Sequence, residues 1–403
     1  MVTKLFTHKM TILSANNCRD LHYGHTPLNA LVSGTDQETA LCGVIIVHRF
    51  KQKIPHLDLE RRTSSWSCSM NWSMICVMSD CWFIISPYLS QLFQVNIAMA
   101  LPYGRKGKIL TAPGNDWVNV PADLHNPVGH SFAVALADVI GNKPGIQFFA
   151  YSNNAPGIRG VKNNSNSKGI LILHTNSGTD SAPWFVHIVP GFPKPKTAWA
   201  FPESEYAKGH LLICFTLAKS AVDVLANGLL LVSPFVYYND ISQLKVNSIP
   251  ALKKLFGEGS NTFPPFSTTQ EIATKLAGSS MPVQIFSKSQ RSKYEIYIKL
   301  ISKRFKQNIR VWSATDKQLK SSCKIPGQNI LIVKSPILIG DHLSTSERDS
   351  TNWLVTENGD VFCQVDLPYA KFQKCKSAMA VCIKNVNDFA HFSKIASQVA
   401  TCT

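Results

Sequence analysis

The sequence predicts an α+β protein, because both short buried strands and an amphipathic helix are visible in its apolar pattern. The apolar runs Ile170 to Leu173 and Trp184 to Val189 flank a connection rich in Ser, Thr, Asn, Gly and Asp, which is typical of two paired strands. Residues 218 to 230 place apolar side chains at helical spacing, which predicts a helix packed against a sheet. With 403 residues and 45% hydrophobic content, the chain can bury one large core or two smaller ones.

Further strands are predicted on both sides of this hairpin. Ile146 to Tyr151 precedes it, and Gly209 to Phe215 and Ile309 to Trp312 follow it. A long loop rich in Pro, Ser and Thr is expected near residues 257 to 282, where it divides the chain into two halves.

The charge balance favours a polyanionic partner. The chain has 41 Lys and Arg against 25 Asp and Glu, a net charge of +16, and its 12 histidines add positive charge in an acidic compartment. Nucleic acid, an anionic glycan or a membrane surface would each suit this charge. A basic, solvated surface without a specific partner explains it equally well, because net charge identifies no site.

The densest basic stretch runs from Lys288 to Lys334. Within it, residues 290 to 305 predict an amphipathic helix. Its apolar stripe consists of Tyr294, Ile298, Ile301 and Phe305. The basic residues left for solvent or for nucleic acid are Arg291, Lys299, Lys303 and Arg304. A phosphate-binding patch and a solvated helix face are both consistent with them, since basic side chains on a helix need no ligand.

Cysteine content and targeting features point to an oxidising compartment. Eleven cysteines without a CxxC pair favour disulfides over a zinc site, and we expect no metal or other cofactor. Sequons at Asn71 and Asn163 are compatible with a secreted glycoprotein. The apolar run 74 to 101 is interrupted by polar residues and proline, so no membrane span is predicted. We expect a secreted or lysosomal protein, although no signal peptide is evident; the oligomeric state is left open.

The segment around the hairpin contains a set of residues at characteristic positions, Lys168-Gly169, Trp184, Val186-His187, Pro190 and Phe192-Pro193. This set resembles the corresponding segment of the deoxyribonuclease II family of acid endonucleases. The resemblance extends over roughly residues 100 to 402. It implies a phospholipase D-like fold of two mixed β-sheets packed together and flanked by helices. It also implies pseudo-twofold halves, about 96–256 and 283–403, within a domain of residues 96–403. Residues 1 to 95 are expected to be poorly ordered or to come from a faulty gene model.

The resemblance implies a metal-independent site with one His-x-Lys motif from each half, but this chain departs from that pattern. The first motif position contains Asn166 and Lys168, and the second contains Ser350 and Asn352. A carboxamide cannot form a phosphohistidine, and an unactivated hydroxyl is a poor proton donor. We therefore expect a secreted deoxyribonuclease II-like protein without hydrolytic activity that binds DNA or another polyanion.

Two other functions stay open. An acid endonuclease producing 3′-phosphate ends could work with an altered catalytic set, for which His174, His187 and His342 are the candidate replacements and Lys168 remains available for phosphate. A turn histidine and a packed core histidine are the favoured interpretations of His174 and His187. The other alternative is a secreted glycoprotein with an unrelated binding role.

The resemblance also implies three disulfides. The expected pairs are Cys18 with Cys214, Cys323 with Cys402, and Cys363 with Cys382. Spacing alone cannot fix this connectivity. Cys375 has no counterpart in the family, so it is expected either to be free or to pair with an N-terminal cysteine.

Overall fold

The computed structural model describes residues 13–14, 17–18, 95–102, 105–111, 116–161, 165–174, 180–257, 264–275, 280–314 and 318–402. The chain divides into two compact units, residues 1 to 80 and 81 to 403. In the first unit, the described residues form an antiparallel pair, β1 (Leu13–Ser14) and β2 (Asn17–Cys18). The expectation for residues 1 to 95 otherwise lies outside the described residues.

The first half of the second unit forms an eight-stranded antiparallel sheet. Its strands are β3 (Val95–Ala100), β4 (Gly107–Thr111), β5 (Val118–Asn119), β6 (Ile146–Tyr151), β7 (Gly169–His174), β8 (Ala182–His187), β9 (His210–Leu217) and β10 (Val236–Asn239). Their order is β10-β6-β7-β8-β9-β3-β4-β5. The predicted hairpin is present, because β7 and β8 pair in antiparallel fashion.

The second half forms a seven-stranded mixed sheet and a separate hairpin. The sheet contains β11 (Ser267–Ala273), β12 (Pro282–Lys288), β13 (Ile309–Trp312), β14 (Ile330–Ile332), β17 (Trp353–Thr356), β18 (Val361–Val365) and β19 (Ala378–Lys384). The hairpin consists of β15 (Ile337–Ile339) and β16 (His342–Ser344). The sheet order is β11-β12-β19-β18-β17-β13-β14, and β13 and β14 are parallel.

Strand β11 corrects the prediction of a long loop near residues 257 to 282. It is an edge strand that pairs only with β12 among the strands of its sheet, and of its seven residues only Ile272 is buried. Its Ser, Thr, Gln and Glu residues therefore give it the composition of a loop, which concealed the strand.

The two strand orders correspond position by position, as expected for pseudo-twofold halves. When the order of the second sheet is reversed, β10-β6-β7-β8-β9-β3-β4 corresponds to β14-β13-β17-β18-β19-β12-β11. In each half, a hairpin (β7–β8 or β17–β18) lies at the centre of its sheet.

Helices flank the sheets. They are α1 (Ser131–Ala135), α2 (Ala221–Val232), α3 (Gln243–Ser248), α4 (Pro250–Gly257), a π-helix (Ile296–Ser302) that continues into α5 (Lys303–Phe305), and α6 (Val386–Ile395). Helix α2 corresponds to the helix predicted for residues 218 to 230. Within the described part of the chain, no helix is long and apolar enough to cross a membrane.

The π-helix corrects the apolar stripe predicted for residues 290 to 305. Tyr294 is 51% exposed, whereas Ile296, Tyr297 and Ile301 are buried. A π-helix has a wider turn than an α-helix, with hydrogen bonds from i to i+5, so buried side chains recur about every five residues. Tyr294 itself lies before the π-helix, in the short connection that follows the 3₁₀ turn Gln290–Ser292, so the predicted helix begins six residues too early.

The sheets share one core between them. Successive residues of a strand point to opposite faces: in β7, Leu171 and Leu173 join the shared core, while Ile170 and Ile172 pack on the outer face. In β17, Trp353 faces the shared core and Leu354 faces the outer side of the second sheet. Both faces of these strands are buried, which explains their continuous apolar runs.

Within the described ranges, two disulfides are present, Cys323–Cys402 and Cys363–Cys382. Cys363 and Cys382 stand directly opposite each other on β18 and β19. Cys214 has a free thiol within the described part of the chain, and its side chain is buried in the apolar packing on the outer face of the first sheet. Its expected partner is Cys18, whose side chain lies outside the described residues. The pairing of Cys18 with Cys214 therefore stays a prediction.

Removing the Cys363–Cys382 disulfide should lower the free energy of unfolding by about 3 kcal/mol, because the bond closes a loop over a sequence separation of 19 residues. Urea denaturation of the double variant Cys363→Ala/Cys382→Ala measures this loss. Cys375→Ala, which removes an exposed free thiol, is the matched control and should change stability by less than about 0.5 kcal/mol. A loss in the double variant no larger than in this control would contradict the prediction.

Candidate functional site

The two motif segments stand at equivalent places in the two sheets. Residues 166 to 168 lead directly into β7, and residues 350 to 352 lead directly into β17. Strands β7 and β17 hold the same position in the two strand orders. The fold therefore gives each half one such segment.

The side chain of Asn166 is fixed by two hydrogen bonds. Its Nδ2 donates to the backbone oxygen of Asp366 at 2.5 Å, and its Oδ1 accepts from Asn153 Nδ2 at 2.6 Å. The amide therefore connects the side chain of Asn153 with the backbone of Asp366. It also lacks the basic nitrogen that would attack phosphorus.

The second motif segment is tied into the structure in a similar way. The N–H of Ser350 donates to the backbone oxygen of Gly209 at 3.0 Å. Asn352 is buried, and its Oδ1 accepts from Ser313 Oγ at 3.1 Å and from the N–H of Ala314 at 3.3 Å. Neither side chain carries the acidic proton or the positive charge that assists phosphoryl transfer.

The last residue of β18 and the residue that follows it contact both motif segments. The N–H of Val365 donates to the backbone oxygen of Asn352 at 2.9 Å, and the backbone oxygen of the next residue, Asp366, accepts the amide of Asn166. The structure thus brings Asn166 and Asn352 to two sides of the same piece of chain.

A small cavity lies beside Lys168, between the two sheets. Its lining residues are Tyr151, Ser167, Lys168, Val186, His187, Gln364, Asp366, Met379 and Val381. Among the four motif positions, Lys168 alone lines it. The cavity has a volume of about 10 Å³, which is room for roughly one water molecule. A phosphate group, with five heavy atoms, does not fit.

Lys168 and Asp366 are the ionisable pair of this cavity. Burial lowers the pKa of Lys168 to about 8, and the negative charge of Asp366 opposes this shift. The Nζ of Lys168 donates to the backbone oxygen of Asn166 at 3.3 Å. Burial raises the pKa of Asp366 to about 7, against the hydrogen bonds that its Oδ2 accepts from Ser167 Oγ and from the N–H of Met379. Its Oδ1 has no hydrogen-bond partner among the described residues.

His187 is the candidate histidine that the structure brings to this cavity. It ends β8 and is buried, and neither ring nitrogen makes a regular hydrogen bond with the described residues. Burial, together with the nearby charges of Lys168 and His210, lowers its pKa to about 3. His187 is therefore neutral near pH ~5, where an acid catalyst would have to carry a proton.

His210 and Glu205 form a second buried pair that the sequence reasoning missed. His210 Nε2 lies 3.0 Å from Glu205 Oε2, close enough for an ion pair, although the angle is not that of a regular hydrogen bond. No local pattern in the sequence distinguishes either residue as part of a site. Gln364 and Asp366 were also missed as site residues, because nothing local distinguishes them from other residues of a buried strand.

The structure does not bring His174 or His342 to the cavity. His174 ends β7, whereas Lys168 precedes that strand, so roughly 20 Å of extended chain separates them. His342 lies in β16, with Nε2 3.2 Å from the backbone oxygen of Pro102. Neither geometry supports a catalytic role.

The four basic residues singled out in the sequence are all exposed. Arg291 lies on a 3₁₀ turn (Gln290–Ser292), Lys299 on the π-helix, and Lys303 and Arg304 on α5. Their binding to nucleic acid stays a prediction. Among the described residues, no group of three or more His, Cys, Asp or Glu side chains is arranged to hold a metal ion.

The comparisons agree with this architecture. The family model for deoxyribonuclease II matches residues 114–402. The chain is 25% identical over 225 residues to plancitoxin-1 of Acanthaster planci, a match covering 55% of this chain and 62% of the relative. It is 24% identical over 229 residues to deoxyribonuclease-2-beta of Rattus norvegicus (54% and 62%) and 22% identical over 224 residues to deoxyribonuclease-2-alpha of Mus musculus (54% and 63%). These matches span somewhat under two thirds of each relative. The match to the family model covers well over half of the chain, and the chain belongs to the deoxyribonuclease II family.

Proposed function

We propose that this protein is a secreted or lysosomal deoxyribonuclease II-like protein that binds DNA without hydrolysing it. One observation supports the proposed loss of hydrolytic activity. Both motif segments present hydrogen-bonded polar residues in place of imidazole, and the cavity beside Lys168 has room for roughly one water molecule.

The chemistry follows from these groups. Attack on phosphorus by a histidine needs a free imidazole nitrogen beside the phosphodiester, and departure of the leaving oxygen needs a proton donor. Asn166 and Ser350 supply neither, and Asn352 supplies no positive charge. Because residues of one catalytic unit do not replace each other's contributions, these substitutions together should remove nearly all of the rate.

The binding half of the proposal is supported by charge. The chain carries a net charge of +16, and Arg291, Lys299, Lys303 and Arg304 are exposed. Release of counterions from DNA phosphates by such side chains supplies most of the free energy of non-specific binding.

Nicking of supercoiled plasmid tests the loss of hydrolysis. At pH ~5 with EDTA, we expect a rate at least roughly 10⁴-fold below that of rat deoxyribonuclease-2-beta assayed in parallel. His187→Ala, purified identically, identifies contamination, because a contaminating nuclease would be equally active in both preparations. Nicking at a rate comparable to that of the relative, lost in His187→Ala, would overturn the proposal.

That outcome would favour the second candidate function, an acid endonuclease with an altered catalytic set. The observation in its favour is that Lys168, His187 and Asp366 line one cavity. For this function, the cavity would have to open to admit a phosphodiester, and the pKa of His187, about 3 in the buried state, would have to rise.

Salt dependence tests the binding half. The logarithm of the DNA affinity should fall linearly with the logarithm of salt concentration, with a slope of roughly −0.9 for each neutralised phosphate. Fluorescence anisotropy of a labelled duplex at several salt concentrations measures this slope. A flat response, or no binding at low salt, would reject DNA binding and leave a secreted glycoprotein with an unrelated role.

A further inference from the structure

A group of exposed basic residues surrounds two 3₁₀ turns that touch each other. The turns are Gln290–Ser292 and Lys371–Cys375. The basic residues on and beside them are Arg291, Lys293, Lys371, Lys374 and Lys376, and all are exposed. We call this group the basic shelf. Of the four basic residues predicted from the sequence, the basic shelf contains Arg291. Its other members come from the two turns, which are distant from each other in sequence.

The basic shelf is built on a buried and well-bonded base. Gln373 is fully buried; its Nε2 donates to Glu295 Oε1 and its Oε1 accepts from the N–H of Ile296, both at 3.3 Å. The buried Lys288 donates from Nζ to the backbone oxygens of Gln373 at 3.0 Å and Lys376 at 2.5 Å. The position of the second turn is therefore fixed before any ligand arrives.

Little negative charge opposes the basic shelf. Glu295 is the only acid between residues 288 and 306, and Asp366 is the only acid between residues 366 and 384. Both are buried, and burial raises the pKa of each carboxyl. Lys293, Lys371 and Lys376 are exposed and form no ion pair among the described residues. The ammonium of Lys376 lies over the ring of Phe372, 5.6 Å from its centroid, a contact that leaves its charge unneutralised.

The basic shelf adjoins the substituted first motif. Ser377, which follows its last residue, forms a parallel β-bridge with Ser165, and Ser165 directly precedes Asn166. The Oγ of Ser377 also accepts from the N–H of Gln290, which connects the first turn to the same point. A phosphate chain lying on the basic shelf would therefore reach the motif segment.

We infer that the basic shelf is the surface that holds the phosphodiester backbone of duplex DNA, alongside a motif segment that no longer cuts it. This inference rests on the proposed function, because it assigns the DNA binding proposed there to particular residues. It requires contacts to phosphates only, so affinity should depend on salt much more than on base sequence.

Substitution of two lysines tests this assignment. Lys374→Gln/Lys376→Gln removes two charges of the basic shelf, and Lys253→Gln/Lys254→Gln removes two exposed charges of α4 as the matched control. With a labelled duplex, we expect the first variant to bind roughly tenfold more weakly at low salt and to lower the salt slope by about 1.8. The control should retain the wild-type affinity within about twofold. Circular dichroism should show both variants folded.

Alkylation of Cys375 is an independent test of where DNA binds, because its free thiol is exposed between Lys374 and Lys376. Saturating DNA should slow alkylation of Cys375 by iodoacetamide at least roughly fivefold, and high salt should restore the rate by releasing DNA. Peptide mass spectrometry follows this site, with the buried Cys214 as an internal reference. If DNA binds but Cys375 is not protected and the two double variants bind alike, the assignment is wrong and the proposed function stands. If the wild-type chain binds no DNA, both fail.

Discussion

Replacing Trp353 by alanine should lower the free energy of unfolding by about 3–5 kcal/mol, the range found for removal of a large aromatic side chain from a core. Trp353 is fully buried in β17 and faces the core shared by the sheets. Its ring stacks near that of Trp312, with centroids 6.3 Å apart, and meets the edge of Phe392 at 5.2 Å. Alanine would leave a cavity where these rings now meet, and backbone pairing on both sides of β17 limits how far the strand can move to fill it.

Urea denaturation followed by circular dichroism measures this loss. Leu244→Ala is the control, because that leucine is 85% exposed on α3 and its truncation should change stability by less than about 0.5 kcal/mol. A loss below about 1.5 kcal/mol for Trp353→Ala would mean that the shared core repacks readily, contrary to the close ring contacts.

Replacing Asp366 by asparagine should change how stability depends on pH. The pKa of Asp366 is about 7 in the folded chain, against an ordinary value of 3.8. Between these values the folded state binds more protons than the unfolded state, so this group makes stability fall as pH rises. One such group gives a slope of roughly 1.4 kcal/mol per pH unit. Asparagine does not titrate, so stability relative to wild type should increase by up to about 4 kcal/mol from pH ~4 to pH ~7.

The difference between variant and wild type isolates this effect. His187 has the opposite dependence: its pKa is about 3 instead of 6.5, so the stability it contributes is present above pH ~6.5 and is lost as pH falls. That contribution is common to both proteins and cancels. Asp180→Asn is a control for which the opposite pH dependence is expected. The exposed Asp180 pairs with Lys275 at 2.6 Å, which lowers the pKa of its carboxyl. Relative to wild type, this variant should therefore lose stability as pH rises through about 4. A pH-independent difference for Asp366→Asn would contradict the prediction.

Strands buried on both faces were predictable from the sequence. Ile146–Tyr151 and Ile309–Trp312 were predicted with the bounds that the structure has, because each is mostly apolar and buried and contains one polar residue, Gln147 or Arg310. Edge strand β11 was missed, since one pairing neighbour and a solvated face allow the polar composition of a loop. The π-helix was missed because its period differs from the α-helical template.

The site was predictable only in part. Substitution of the motif residues is readable in the sequence, since Asn166, Ser350 and Asn352 stand where the resemblance calls for other residue types. The contact of Asn166 with Asp366 joins residues 200 positions apart, and no local sequence pattern predicts it. Burial of His187 likewise depends on which side chains from the second half fill the space beside Lys168. Such facts follow from tertiary packing, which local periodicity does not encode.

The common core of the two sheets has a consequence for fragments of this protein. A proteolytic cut between α4 and β11 would break the covalent connection between the two halves. Each half alone would expose an apolar sheet face to water. The nicked molecule should therefore stay associated until denaturant is added. Either piece expressed by itself should precipitate, and mixing the two during refolding should restore solubility.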